Sequence, residues 1–96
     1  ARDFVVFMIK SRLVVNNRRG LHARAATKLA SISNQYQCNI VVRNAESMVD
    51  AKSIISIMLL AASEGTELIF EFDGADEAKA STAVTELFVN SFDEDE

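Results

Sequence analysis

The spacing of apolar residues changes along this chain of 96 residues, and this change most constrains its fold. Residues 66–72, TELIFEF, alternate polar and apolar side chains, which predicts a half-buried strand. Farther on, apolar residues recur at i, i+3, i+4, i+7 and i+8, the stripe of an amphipathic helix: Ala80, Ala83, Val84, Leu87 and Phe88. A chain that carries both patterns is expected to pack helices against a sheet.

The same two patterns predict the other elements. They are a strand over 11–17 that 4–9 extend, a helix that begins at Ala23 and weakens at Asn34, and a hairpin of 38–43 with 47–49. An apolar run over 54–62 predicts a short second helix, with Asp50 as N-cap and Gly65 as C-terminal breaker.

The resulting order is β-α-β-β-α-β-α in a single domain over residues 1–96. We expect an α+β, two-layer open-faced β-sandwich, in which a four-stranded antiparallel sheet carries three helices on one face. Residues 1–10 are interpreted as an N-terminal extension and 93–96 as a solvated acidic tail.

Charge is distributed unevenly along the chain, whose net charge is −4. Residues 1–43 hold eight Lys or Arg and one acid, for +7, whereas residues 44–96 hold two Lys and thirteen acids, for −11. The basic part surrounds the only histidine, His22, and favours an anionic partner there. The acidic whole disfavours general nucleic-acid binding.

Cys38 is the only cysteine, so it forms no internal disulfide, and with one histidine it cannot build a structural zinc site. The apolar stretch over 4–15 is interrupted by Lys10 and Arg12 and is too short to span a bilayer. These features predict a cytoplasmic protein without a membrane partner.

The segment 20–26, GLHARAA, is the most informative motif, because it places His22 after a glycine and at the start of a helix. Free N–H groups in the first helical turn bind anions, and the helix dipole adds positive charge there. Arg24 adds a guanidinium suited to phosphate oxygens. A lone histidine more often caps or packs, but this combination favours an imidazole that takes up a phosphoryl group.

GLHARAA, together with AKS at residues 51–53, resembles the HPr-type phosphocarrier proteins of bacterial phosphoenolpyruvate-dependent phosphotransferase systems over about residues 11–92. The LIFEFDG strand and the ending LFVNSFDEDE are most similar to the nitrogen-related branch, NPr. Ala25 departs from the family, which usually has proline there; alanine keeps the helix but loses some preorganisation.

The resemblance implies that His22 is phosphorylated through Nδ1 and that Arg24 is its phosphate-side partner. It implies a phosphoryl-transfer intermediate, not a turnover enzyme, without cofactor or metal. A monomer would receive the group from enzyme I and pass it transiently to an enzyme IIA-type protein, in sugar uptake or nitrogen-related regulation. Ser53 falls where some lineages have a serine phosphorylated by a regulatory kinase; the alternative is a serine that makes local hydrogen bonds at the helix start.

The second helix carries more apolar residues than one buried stripe needs. The family docks its partners beside the histidine, which favours Ile54, Ile55 and Met58, with Lys28, as docking residues. A short helix buried as a whole fits the pattern equally well.

Two other function classes remain open. One is a small basic-patch module that binds RNA through Arg18, Arg19, Arg24 and Lys28, although its strands lack interleaved aromatic residues for base stacking. The other is a regulatory HPr-like protein that acts through Ser53 without phosphoryl transfer. The presence of His22 and Arg24 disfavours this second class, because a protein without phosphoryl transfer would need neither residue.

Overall fold

A computed structural model describes residues 8–45 and 47–94. Its elements are β1 (Ile9–Val14), α1 (Ala23–Ser33), β2 (Asn39–Asn44), β3 (Ser47–Asp50), α2 (Ile54–Leu59), β4 (Glu67–Asp73), α3 (Glu77–Val89) and a 3₁₀ turn (Ser91–Asp93). The predicted order of strands and helices is confirmed. No helix within the described residues is long and apolar enough to cross a membrane.

The four strands form one antiparallel sheet, as predicted, and their order in the sheet is β1-β4-β2-β3. In the central strand β4, Leu68, Phe70 and Phe72 are fully buried, and the residues between them point to the other face. There, Glu71 pairs with Arg43 at 3.1 Å. The helices lie on the apolar side of the sheet, which confirms the open-faced two-layer sandwich.

The first strand covers Ile9–Val14, which lies within the predicted 11–17 and its extension over 4–9 but ends earlier than predicted. Ile9 and Lys10, which the domain prediction counted in the N-terminal extension, pair with β4. Val15 N still donates to Thr66 O at 2.9 Å, and Asn17 is buried in the following turn, where Gly20 N donates to Asn17 O at 3.2 Å. Residues 1–7 of the proposed N-terminal extension, which include 4–7 of the predicted strand, lie outside the described part.

The predicted bounds of α2 were wrong. Asp50 ends β3, and its carboxylate accepts from Lys52 N at 2.9 Å, so Ser53 and not Asp50 caps the helix. The helix ends at Leu59, because Ala61 adopts a left-handed φ of 52°. Gly65 belongs to the next turn, where its N–H donates to Val15 O at 2.7 Å.

The acidic ending is not simply a solvated tail. Phe92 is fully buried, with its ring centroid 4.8 Å from that of Phe88. Ser91, Phe92 and Asp93 all have a left-handed φ, between 52° and 61°, which turns the chain back over the start of α1. We call residues 91–94 the C-terminal strap; residues 95–96 lie outside the described part.

Candidate functional site

His22 is the N-cap of α1, with extended backbone angles of φ −71° and ψ 179°. Its carbonyl accepts the first intrahelical hydrogen bond, from Ala26 N at 2.8 Å. Its ring atom Nδ1 accepts from Arg24 N at 3.2 Å. The Arg24 amide of the first turn therefore faces Nδ1, and an anionic group bound to that atom would lie against this end of the helix. About 21% of the His22 side chain is exposed, so the ring is within reach of a partner protein.

The loop before His22 is held against the segment that follows α2. Leu21 N donates to Ala62 O at 2.9 Å. Gly20 has a φ of 71°, and a Cβ there would lie 2.5 Å from the Ala62 carbonyl oxygen. The glycine of the motif is thus required both by the left-handed backbone and by this close approach.

The second ring nitrogen of His22 has a carboxylate partner. Nε2 lies 2.6 Å from Oε2 of Glu94, and Asn17 Nδ2 donates to Oε1 of the same carboxylate at 3.1 Å. Burial raises the pKa of Glu94, but the hydrogen bonds from Asn17 and His22, together with the nearby charge of Arg19, outweigh it and hold that pKa below the usual 4.5. Glu94 is therefore an anion at neutral pH.

The arginines near the motif lie at the surface. Arg18 and Arg19 occupy the exposed turn before Gly20, and Arg24 is exposed in the first turn of α1. Because Arg24 has no side-chain hydrogen bond or ion pair within the described residues, its guanidinium is free to meet an incoming anion.

Three of the four predicted docking residues lie on the surface of α2, and the fourth, Lys28, lies on α1. Ile54, Ile55 and Met58 are exposed, whereas Ile57 is fully buried, so the helix is not buried as a whole. Leu59, which the sequence analysis did not single out, is 77% exposed and extends this apolar surface. We call the four exposed residues Ile54, Ile55, Met58 and Leu59 the α2 patch.

Two further predicted residues make intramolecular contacts. Lys28 Nζ donates to Phe92 O at 2.7 Å and so holds the C-terminal strap. Ser53 Oγ accepts from Ser56 N at 3.2 Å, which is the helix-start hydrogen bond considered as the alternative to phosphorylation.

Sequence reasoning missed Glu94 and Asn17. Glu94 stands in a run of four acidic residues, which is typical of a solvated end. Phe92 was the available signal, because a large aromatic residue next to such a run indicates an anchored segment.

The chain is similar to known phosphocarriers over nearly its whole length. A family profile described as "PTS HPr component phosphorylation site" matches residues 9–90. A Phosphocarrier protein HPr of Xylella fastidiosa is 46% identical over 88 residues, which are 92% of this chain and 99% of that protein. A Phosphocarrier protein NPr of Proteus mirabilis is 38% identical over 85 residues, 88% of this chain and 94% of that protein.

The fold is also that of solved structures. A crystal structure of HPr from Thermoanaerobacter tengcongensis has a TM-score of 0.88 and 31% sequence identity, and the match covers 92% of this chain and 99% of that one.

Proposed function

The chain belongs to the HPr family of phosphocarrier proteins, and we propose that His22 carries the phosphoryl group, bonded to Nδ1. Proteins of this family are phosphocarriers and not enzymes with a turnover of their own, as the sequence analysis predicted. The observation that carries the proposal is the position of Nδ1, 3.2 Å from Arg24 N at the positive end of α1.

The groups at this helix end supply the nucleophile and meet the charge of the phosphoryl group. The lone pair of Nδ1 gives up its hydrogen bond with Arg24 N and attacks the phosphorus of a phosphorylated donor protein. The Nδ1–P bond forms as the bond from phosphorus to the donor breaks, and that bond's electron pair stays with the donor. Charge on the phosphoryl oxygens is met by the first-turn amides and by Arg24. Attack by an acceptor protein on the phosphorus reverses the sequence and restores His22.

We take enzyme I as the donor and an enzyme IIA-type protein as the acceptor, in the cytoplasm, where the lone Cys38 stays reduced. The α2 patch is proposed as their docking surface, because exposed apolar side chains on one short helix would become buried on contact. Lys28 as a docking residue and Ser53 as a phosphorylation site stay predictions.

The nitrogen-related branch is proposed on the LIFEFDG strand and the LFVNSFDEDE ending. The chain matches relatives named HPr and one named NPr, so these names do not assign the branch. The branch is assigned by the acceptor protein that takes the phosphoryl group. Transfer rates from the phosphorylated chain to purified nitrogen-type and sugar-type IIA proteins test it. We expect faster transfer to the nitrogen type; faster transfer to the sugar type contradicts it.

Incubation with phosphoenolpyruvate and a bacterial enzyme I, followed by intact-mass measurement, tests the site itself. We expect uptake of one acid-labile phosphoryl group by the wild type and by Ser53→Ala, and none by His22→Ala. Uptake that persists in His22→Ala, or salt-dependent RNA binding without uptake, would contradict the proposal.

A further inference from the structure

Glu94 and His22 form a partly buried contact through Nε2, the ring nitrogen that does not take the proposed phosphoryl group. The two side chains meet at 2.6 Å, and only 6% of the Glu94 side chain is exposed. Asn17, itself buried, completes the arrangement: its Nδ2 donates both to Glu94 at 3.1 Å and to Gly20 O at 2.8 Å. The carboxylate is therefore fixed to the loop that carries the histidine.

The C-terminal strap is anchored well enough to deliver Glu94 to this place. Phe92 fills the core, and its carbonyl oxygen accepts from Lys28 Nζ at 2.7 Å. Ser91 Oγ lies 3.1 Å from Asn16 Oδ1 and ties the strap to the turn before His22. Three consecutive non-glycine residues with left-handed φ are costly, and they persist only where such surrounding contacts over-determine them.

The two hydrogen bonds of the ring fix where its proton lies. A neutral imidazole has one N–H and one lone pair. Arg24 N donates to Nδ1, so Nδ1 must present the lone pair, and the proton on Nε2 points to the Glu94 carboxylate. The same contacts hold the plane of the ring.

We propose that Glu94 is a positioning residue for phosphoryl transfer: it holds the Nε2 proton and thereby keeps Nδ1 as the nucleophilic nitrogen. This inference rests on the proposed role of His22. When Nδ1 bonds to phosphorus, the Nε2 proton stays on the ring, which becomes a phosphoimidazolium cation, and the carboxylate beside it neutralises that positive charge. On transfer to the acceptor, the electron pair of the N–P bond returns to Nδ1 and the neutral ring is restored.

The position of the Glu94 carboxylate determines whether its charge speeds or slows phosphoryl transfer. Glu94 contacts Nε2, the nitrogen that does not take the phosphoryl group, so its charge acts on the ring more directly than on the phosphoryl oxygens. If repulsion of the phosphoryl group nevertheless dominated, removal of the charge would speed transfer. The sign of the rate change therefore tests the proposal.

Glu94→Gln is the test variant, because glutamine keeps the shape and loses the charge. Asp93→Asn is the matched control: it removes one charge at the neighbouring position, which is exposed, and asparagine tolerates the left-handed φ of 61°. The first readout is the rate of phosphorylation by enzyme I. We expect roughly tenfold slower phosphorylation for Glu94→Gln and wild-type rates for Asp93→Asn, as for the loss of one charge-assisted hydrogen bond.

The second readout is ¹⁵N NMR of the imidazole ring in the unphosphorylated protein, which needs no donor protein. We expect the wild type and Asp93→Asn to carry the neutral-ring proton on Nε2, and Glu94→Gln to show a larger share on Nδ1. Unchanged ring shifts, or a phosphorylation rate of Glu94→Gln equal to or above that of the wild type, would overturn the inference.

The two proposals fail in different ways. If the role of His22 is wrong, the wild type takes up no phosphoryl group on that residue. If only the role of Glu94 is wrong, His22 is phosphorylated in the wild type and equally fast in Glu94→Gln.

Discussion

Gly20 is the residue whose backbone conformation most directly sets the position of His22. Its φ of 71° is left-handed, and an added Cβ would lie 2.5 Å from Ala62 O and 3.0 Å from Ser63 Cα. Gly20→Ala is therefore expected to lower the free energy of unfolding by about 2 kcal/mol or more, since strain and a backbone clash add. Urea unfolding measures this loss.

Gly65→Ala is the control for this prediction. Gly65 also has a left-handed φ, 91°, but a Cβ there meets nothing within 4 Å. It should lose less stability than Gly20→Ala, because only the backbone strain applies. Equal losses in the two variants would show that the contact with Ala62 does not constrain the loop.

At this scale the sequence predicted one half of the site. A histidine that follows a glycine and precedes a helical pattern is predicted to lie at a helix N-terminus, and His22 is the N-cap of α1. Local spacing was enough because helix starts depend on nearby residues. Glu94 lies 72 residues away from His22 along the chain. Local sequence patterns do not predict that Glu94 contacts His22. The contact depends on the burial of Phe92 and on a left-handed turn that non-glycine residues rarely adopt.

At the scale of elements, α2 exposes apolar side chains that a helix in the protein core would bury. Ile55 is 68% exposed, and Val89 on α3 is exposed to the same 68%. Ile55→Ser is expected to slow phosphorylation by enzyme I by roughly tenfold, since it removes an apolar contact from the proposed docking surface. Its melting temperature should stay that of the wild type, because an exposed side chain adds little to stability.

Val89→Ser provides the comparison on another helix. It removes an equally exposed apolar side chain and is expected to leave the phosphorylation rate unchanged. Should both variants transfer at the wild-type rate, or slow equally, the α2 patch would not be the docking surface.

The bounds of α2 show where element prediction fails. Asp50 and Ser53 are both good N-cap residues, and the sequence analysis took Asp50 as the cap. In the structure Asp50 completes the pairing of β3 with β2, opposite Val41, and only then does the chain turn into the helix. Strand pairing overrode local capping preference, whereas the β2–β3 hairpin and the α3 stripe, which have strong local patterns, were predicted correctly.

At the scale of the whole molecule, the strap joins the acidic end of the chain to its basic half. The pKa of Glu94 is lowered, so its contribution to stability is fully present above about 4.5 and is lost as the pH falls through the lower pKa of the folded state. We expect Glu94→Gln to be less stable than the wild type at pH 6, by on the order of 1 kcal/mol, and this difference to shrink at pH 3.

Urea unfolding of both proteins at the two pH values measures the effect, with Asp93→Asn as the variant that should follow the wild type. A difference between Glu94→Gln and the wild type that is the same at pH 6 and pH 3 would mean that the carboxylate is not held as an anion against His22.

Phosphoryl transfer as proposed depends on one bond, that between phosphorus and Nδ1 of His22. The protein labelled with ¹⁵N in its histidine ring, phosphorylated by enzyme I and phosphoenolpyruvate and observed by ³¹P and ¹⁵N NMR, reports which atom carries the phosphoryl group. We expect phosphorus coupled to Nδ1, with the proton retained on Nε2 beside Glu94. Coupling to Nε2, or a phosphorus signal from a serine ester such as that of Ser53, would contradict it.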